Sequence, residues 1–205
     1  VADGRPADFA LVFDVSKAHR RIGVRPADWG LQACSLVPRG RRPSEDDEVW
    51  VNTVGTYGMG SASYWWGRLG ALLVRLAHYV AGGVGLLYAL RFADDFILLV
   101  NAAELSMPLA MVVVFLRALG VPLKWTKFRG GRVVDWIGFH LSLERSLLGV
   151  SASRGDWIIG WCTAVADAGR AKPREVREAL GRLSFVSGVL VFVRPFLGLV
   201  YAWAA

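Results

Sequence analysis

The sequence predicts an α+β fold: an antiparallel sheet with two helices on one face, followed by a short helical segment. Three observations carry this prediction. Apolar runs of strand length stop at carboxylates, as in Phe9 to Phe13 before Asp14 and in the two runs flanking Asp94-Asp95. Two longer segments, Gly58 to Ala81 and Glu104 to Leu119, have the length and patterning of helices and are each followed by glycine. Beyond residue 150 the patterns are mainly helical, dividing the chain into a first unit, 1–150, and a second, 151–205.

Taken in order, Leu11 to Asp14 is a strand. Arg25 to Trp50 reads as a loop with room for a hairpin, because Pro26, Pro38 and Pro43 exclude a long helix. Trp50 to Gly55 reads as a short strand. From Gly58 to Ala81, Trp65, Leu69, Leu72, Leu76 and Tyr79 recur at helical spacing, and Gly82-Gly83 ends the helix. A hairpin comes next, with Phe92-Ala93-Asp94-Asp95 as its turn. Glu104 to Leu119 is the second helix, stopped by Gly120. Val133 to Leu141 is a strand with Leu147 to Val150 as a hairpin partner. Asp156 to Gly169 and Pro173 to Val193 are helices. There is no internal repeat and no low-complexity tract.

The carboxylates hold the chemistry. Leu86 to Val100 reads LLYALRFADDFILLV, with two adjacent acids inside an otherwise apolar run. Desolvating a carboxylate is costly unless a cation or strong donors compensate. On this segment alone, a solvated Asp-Asp turn and a cation site are equal readings. FALVFDVSKAHRRIGV (Phe9 to Val24) places Asp14 at another strand end, beside Lys17, His19, Arg20 and Arg21. Three carboxylates converging from two strands suit Mg²⁺, which takes oxygen ligands and leaves room for substrate phosphates. Two such ions roughly 3.5–4 Å apart stabilise both oxygens of a phosphoryl transfer.

Five segments in one order resemble reverse transcriptases. FDVSKAHRRI resembles their first palm motif and FADD their xxDD motif. NTVGTYGMGSASYWW (Asn52 to Trp66) resembles the Gly-centred segment, LGVPLKWTKF (Leu119 to Phe128) the segment with a Gly and a downstream Lys, and VDWIGFHL (Val134 to Leu141) the primer-grip hairpin. Gly181 to Trp203 is similar to the stretch after the palm in DIRS-type retrotransposons, the closest subgroup. The resemblance implies a polymerase palm over 1–150, a thumb- or connection-like segment over 151–205, and fingers largely missing before the first strand.

It also implies roles. Asp14 and Asp94 bridge two Mg²⁺ ions (or Mn²⁺), the Val15 carbonyl is a further ligand, and Asp95 assists directly or through water. Lys17 and the backbone at Ala18 and His19 hold the incoming triphosphate, and Tyr57 and Gly58 lie under its sugar and base. Gly58 reads equally as a turn residue. Lys127 resembles the lysine that protonates pyrophosphate, and a surface lysine after a turn is an equal reading. Trp136 and Gly138 support the primer, although core is the commoner fate of a strand Trp. The implied partners are an RNA/DNA template–primer and dNTPs, in an intracellular setting (nucleus or cytoplasm) and without a membrane. Three departures stand out: Phe92 replaces a usual Tyr, Thr56 and Ser63 replace two prolines, and His19 stands where Phe or Tyr gates the sugar 2′ position.

Composition agrees. The formal charge of +7 and the pI of about 9.9 favour an anionic partner. Basic residues cluster at Lys17 to Arg25, Arg39 to Arg42 and Arg170 to Arg182. The second cluster is succeeded at once by Glu45-Asp46-Asp47-Glu48 and reads as a solvated loop; the third, on a predicted helix, suits a duplex backbone. Cys34 and Cys162 are isolated, which argues against a zinc site or a disulfide framework. His78 and His140 lack an evident partner. Three other classes compete: an inert nucleic-acid-binding remnant, a membrane protein and an unrelated two-metal nuclease. The membrane reading rests on the mean hydropathy of +0.39 and on Phe185 to Ala205, but Arg194-Pro195 sits at the centre of that stretch.

Overall fold

The computed structural model describes residues 6–37, 40–42 and 44–204; Pro38, Arg39 and Pro43 lie outside them. Strand β1 (Phe9–Asp14) leads into a basic 3-10 turn (Ala18–Arg21). β2 (Ala33–Ser35) and β3 (Val49–Val51) form a small antiparallel hairpin, which fills the predicted loop and ends before Gly55. Helix α1 (Gly60–Ala81) precedes the long hairpin of β4 (Leu86–Phe92) and β5 (Asp95–Val100). Helix α2 (Ser106–Ala118) is next, closed by Gly120 at φ +75°. Then come β6 (Arg129–Gly131) and the meander β7 (Val133–Trp136), β8 (Phe139–Ser142) and β9 (Leu147–Val150). Helices α3 (Ala152–Ala168), α4 (Pro173–Val186) and α5 (Arg194–Ala204) complete the chain.

The main sheet runs in the order β4-β5-β1-β6, with antiparallel pairing throughout. Strand alternation divides it into two faces. Phe9, Leu11 and Phe13 face the helices with Phe96, Leu98 and Val100, and meet Trp66, Leu73 and Ala77 of α1 and Val112 and Leu116 of α2. Ala10, Val12 and Ile97 face the other way, onto Val134 and Trp136 of the meander. The α+β prediction, a sheet backed by two helices, is borne out.

Helix α1 forms where the spacing predicts it, and three other local expectations are corrected. The helical row Trp65, Leu69, Leu72 and Tyr79 is exposed; the buried face of α1 is Ala62, Trp66, Gly70, Leu73, Ala77 and Ala81. Small residues let the helix approach the sheet closely, and Gly70 lies where Arg91 crosses it, 2.5 Å from where a Cβ would be. Val133 to Leu141 is not one strand. Ile137 (φ +49°) and Gly138 (φ +91°) form a two-residue turn of the type that matches strand twist. The helix from Pro173 stops at Val186, and a new one starts at Arg194 with Pro195 in its first turn, where no amide hydrogen is needed. Finally, both histidines have partners: the Ala89 amide donates to His78 Nε2 (3.1 Å), and His140 pairs with Asp135 (2.8 Å).

The charged loop is self-neutralised in part by an Arg41–Asp47 ion pair. Among the described residues, no helix is long and apolar enough to cross a membrane.

Candidate active site

The register of β1 against β5 places Asp14 directly opposite Asp95. Paired residues on antiparallel strands point to the same face, with Cβ atoms about 4.5–5.5 Å apart. The strand ends therefore bring two carboxylates side by side on the face that looks toward β7. Asp14 is 4% exposed, whereas Asp94 and Asp95 are half-buried. Asp94 occupies the hairpin turn after Ala93, whose φ of +50° is unusual for a residue with a side chain. That turn is pinned from three sides. Trp66 Nε1 donates to the Ala93 carbonyl (2.9 Å), Arg91 donates to the same oxygen, and the Val15 amide donates to the Asp94 carbonyl (3.0 Å).

Lys127 completes the cluster. It closes a 3-10 turn (Trp125–Lys127) that is tied to the end of β1 by the Lys124 amide, which donates to the Asp14 carbonyl (2.9 Å). Phe128 stacks on Phe13 beneath it, with ring centroids 5.2 Å apart. The Lys127 ammonium pairs with Asp14 Oδ2, and this bond raises the lysine pKa above its ordinary value. Burial, then the neighbouring Asp94 and Asp14 charges, push the Asp95 carboxyl up, with Lys127 opposing.

The rise at Asp95 has a definite sign. Its proton is held more tightly in the folded than in the unfolded chain. The stability it contributes is present below an ordinary aspartate pKa of ~4 and is lost as pH rises through the raised value. In metal-free buffer, melting temperature should fall over that window, and Asp95→Asn should flatten the slope. An equal slope in the variant would place the repulsion elsewhere.

Asp14 Oδ1 is buried with no protein partner. A buried carboxylate oxygen left unpaired is costly, and a hard cation is a ligand that would satisfy it. The all-oxygen donor set suits Mg²⁺ or Mn²⁺. Among the described residues, however, no three His, Cys, Asp or Glu side chains are gathered into a ready cluster. Like charges separate, and Lys127 already holds the second Asp14 oxygen.

A pocket of about 210 Å³ is lined by Asp14, Asp95, Lys127, Trp136 and Ile137. The structure thus brings four of the sequence-derived residues together, with Asp94 and Val15 adjoining through the backbone. Asp135 also lines this pocket and carried no sequence signal, because an acid on a short strand reads as solvent-facing. Trp136 is both core and pocket wall. Gly138 lies in the turn beyond it.

The residues expected at the nucleotide form a second group, and none lines this pocket. Lys17 is exposed with a left-handed backbone (φ +55°), and Ala18 and His19 are buried. His19 packs against the exposed Tyr57, ring centroids 4.7 Å apart, joining the first motif to the Gly-centred one. Gly58 has φ +87° and open space above it, so it serves as a turn residue that leaves room for a ligand. The glycine that close packing demands is Gly55. A Cβ there would lie 2.5 Å from Ala62 Cβ and 2.7 Å from the His19 carbonyl. Neither neighbour can swing aside, so Gly55→Ala should cost roughly 1–3 kcal/mol by overpacking. Thermal melting checks this, at about 2–4 °C per kcal/mol; an unchanged Tm would mean that α1 can shift freely.

No protein-family model and no curated protein sequence matches the chain. Solved structures do. A foamy viral protease-reverse transcriptase (dRH) in complex with double-stranded DNA aligns over 97% of this chain, with a TM-score of 0.65 and 14% identity. The foamy viral protease-reverse transcriptase with RNA/DNA hybrid aligns over 95% (TM-score 0.64, 13% identity), and the complex with dsDNA over 95% (0.58, 15%). The chain spans 31%, 24% and 37% of those proteins respectively. At such identities the likeness is one of fold: the chain has a partial reverse-transcriptase-like fold.

Proposed function

We propose that this chain is the palm and thumb-like region of an RNA-directed DNA polymerase, adding dNTPs to a primer 3′-hydroxyl on an RNA template. The observation that carries this is the Asp14–Asp95 pair with its unsatisfied Oδ1, set in a reverse-transcriptase-like fold beside a lysine. Residues 1–150 are assigned to the palm and 151–205 to the thumb-like segment. The closer affiliation with DIRS-type retrotransposons rests on the sequence resemblance, Gly181 to Trp203 included. Nucleic acid is in each of the similar structures, and the net charge of +7 suits such a partner.

Bound at Asp14, Asp94, Asp95 and the Val15 carbonyl, two divalent cations (Mg²⁺ or Mn²⁺) would lower the pKa of the primer hydroxyl and stabilise charge on the transferring phosphoryl group. Asp14 supplies a buried, directed oxygen. Lys127, held protonated by its neighbours, keeps a proton at Nζ for the leaving pyrophosphate. Trp136 and the turn at Gly138 flank the carboxylates from the primer side. Lys17, with the backbone at Ala18 and His19, receives the triphosphate, while Tyr57 on His19, with Gly58, shapes the space under the nucleotide. His19 in place of a larger gate should relax the exclusion of ribonucleotides.

A second reading, nucleic-acid binding without catalysis, is favoured by the engagement of Asp14 with Lys127 and the lack of a ready three-carboxylate cluster among the described residues. Incorporation of labelled dNTPs opposite RNA and DNA templates separates the two. Template-directed incorporation on RNA supports the polymerase. Binding of primer–template without incorporation supports the second reading.

A further inference from the structure

The turn at Ile137-Gly138 is clamped by the second unit of the chain. Arg154, in the first turn of α3, lies across Gly138: a Cβ on that glycine would meet the guanidinium Nε at 2.0 Å. Its Nη2 makes a long hydrogen bond to the Ile137 carbonyl (3.4 Å). The Ser151 amide donates to the Gly138 carbonyl (3.1 Å). On its other side the Arg154 guanidinium sits over the Phe185 ring of α4 (4.0 Å), and Phe185 itself stacks on Phe139 of β8 (4.4 Å, 14° between planes). A β7–β8 turn, the start of α3 and the end of α4 thus meet around one planar cation.

The clamped turn is a strained one. Ile137 is β-branched with φ +49°, a conformation that persists only where surroundings enforce it. Ile137 also lines the pocket holding Asp14 and Asp95. Whatever holds Ile137 therefore sets one wall of the carboxylate pocket.

We infer that Arg154 is a positioning residue, which locks the Ile137-Gly138 turn to helices α3 and α4 so that the primer-side wall of the pocket and the thumb-like segment move as one body. This rests on the polymerase reading for its activity readout. The lock uses Arg154 as a flat plate between glycine and Phe185, with a fork toward a carbonyl, and lysine supplies neither.

The test uses the full protein with Arg154→Ala, Arg154→Lys and Phe185→Leu beside the unaltered chain. Single-turnover nucleotide addition, primer–template affinity at several salt concentrations, and amide hydrogen exchange over residues 136–139 are measured. Addition should slow about 10–100-fold in all three variants, the scale of a small misplacement of reacting groups. Affinity and its salt slope should change little, and exchange in the turn should rise. Full activity in Arg154→Lys would show that charge alone suffices and would overturn the proposal. So would weakened binding with a salt slope reduced by about one, the signature of a phosphate contact. If the unaltered chain adds no nucleotide, the polymerase reading fails, and the exchange arm still decides the lock: unchanged exchange in Arg154→Ala would sink it.

Discussion

Asp14→Asn should abolish nucleotide addition while leaving the protein as stable as before, or more so. Loss of a metal-binding oxygen at a phosphoryl-transfer centre removes several kcal/mol of transition-state stabilisation, which corresponds to roughly 10³-fold or more in rate. The folded state bears the opposite effect. Asp14 sits directly across from Asp95, and its charge helps to push the Asp95 carboxyl up. A neutral amide of the same shape removes that repulsion and still offers an oxygen to Lys127. Lys127 itself is half exposed and readily solvated, so its loss of an ionic partner costs little. Strained or self-repelling groups that proteins keep at a cost to stability are characteristic of functional sites. Activity assays and thermal melting on one preparation decide it. Lost activity with a melting temperature lowered by many degrees would mark Asp14 as structural, and retained activity would place the chemistry elsewhere.

Trp66→Ala should be the most destabilising single change in residues 1–150, by roughly 3–5 kcal/mol, the usual range for emptying an aromatic core site. Trp66 is 3% exposed and packs among α1, β1 and β5. It also pins the hairpin tip, because its Nε1 donates to the Ala93 carbonyl next to Asp94. Trp66→Phe separates the two roles: most of the packing remains and the hydrogen bond goes, at about 1 kcal/mol. Arg91 still donates to the same carbonyl, which keeps the oxygen from being orphaned. Urea midpoints should fall in the order wild type, Trp66→Phe, Trp66→Ala at a constant m-value. Nucleotide addition by Trp66→Phe should drop more than its stability does, since Ala93 at φ +50° has lost one of the bonds that hold it there. Equal midpoints for the two variants would show that packing at this site contributes nothing beyond the bond.

The elements legible in the sequence were those that break a pattern. Asp14, Asp94 and Asp95 interrupt apolar strands, so both the strands and their shared end announced themselves. The pairing of Lys127 with Asp14 spans 113 residues and no local pattern encodes it; only the order of motifs pointed there. The packing face of α1 is not legible from its large apolar residues, because the buried face is largely alanine and glycine. Gly55 escaped notice for the same reason: a glycine that admits a neighbouring carbonyl looks no different in sequence from one that merely turns. Arg154 lies just ahead of the helix that the sequence predicts from Asp156, in no predicted element, and its role depends on which turn the first residues of α3 reach. Periodicity registers how a segment faces a core, but not which two distant segments touch.

The central claim is that Asp14, Asp94 and Asp95 form a divalent-metal nucleotidyl-transfer centre. Its most direct test is extension of a primer on an RNA template with dNTPs, with and without Mg²⁺, by the full protein and by a variant carrying Asp94→Ala and Asp95→Ala whose folding has been verified by melting. The account predicts extension that requires Mg²⁺ and disappears in the folded double variant. Extension that persists in that variant, or a folded wild-type protein that binds primer–template and extends nothing at any Mg²⁺ or Mn²⁺ concentration, would contradict it.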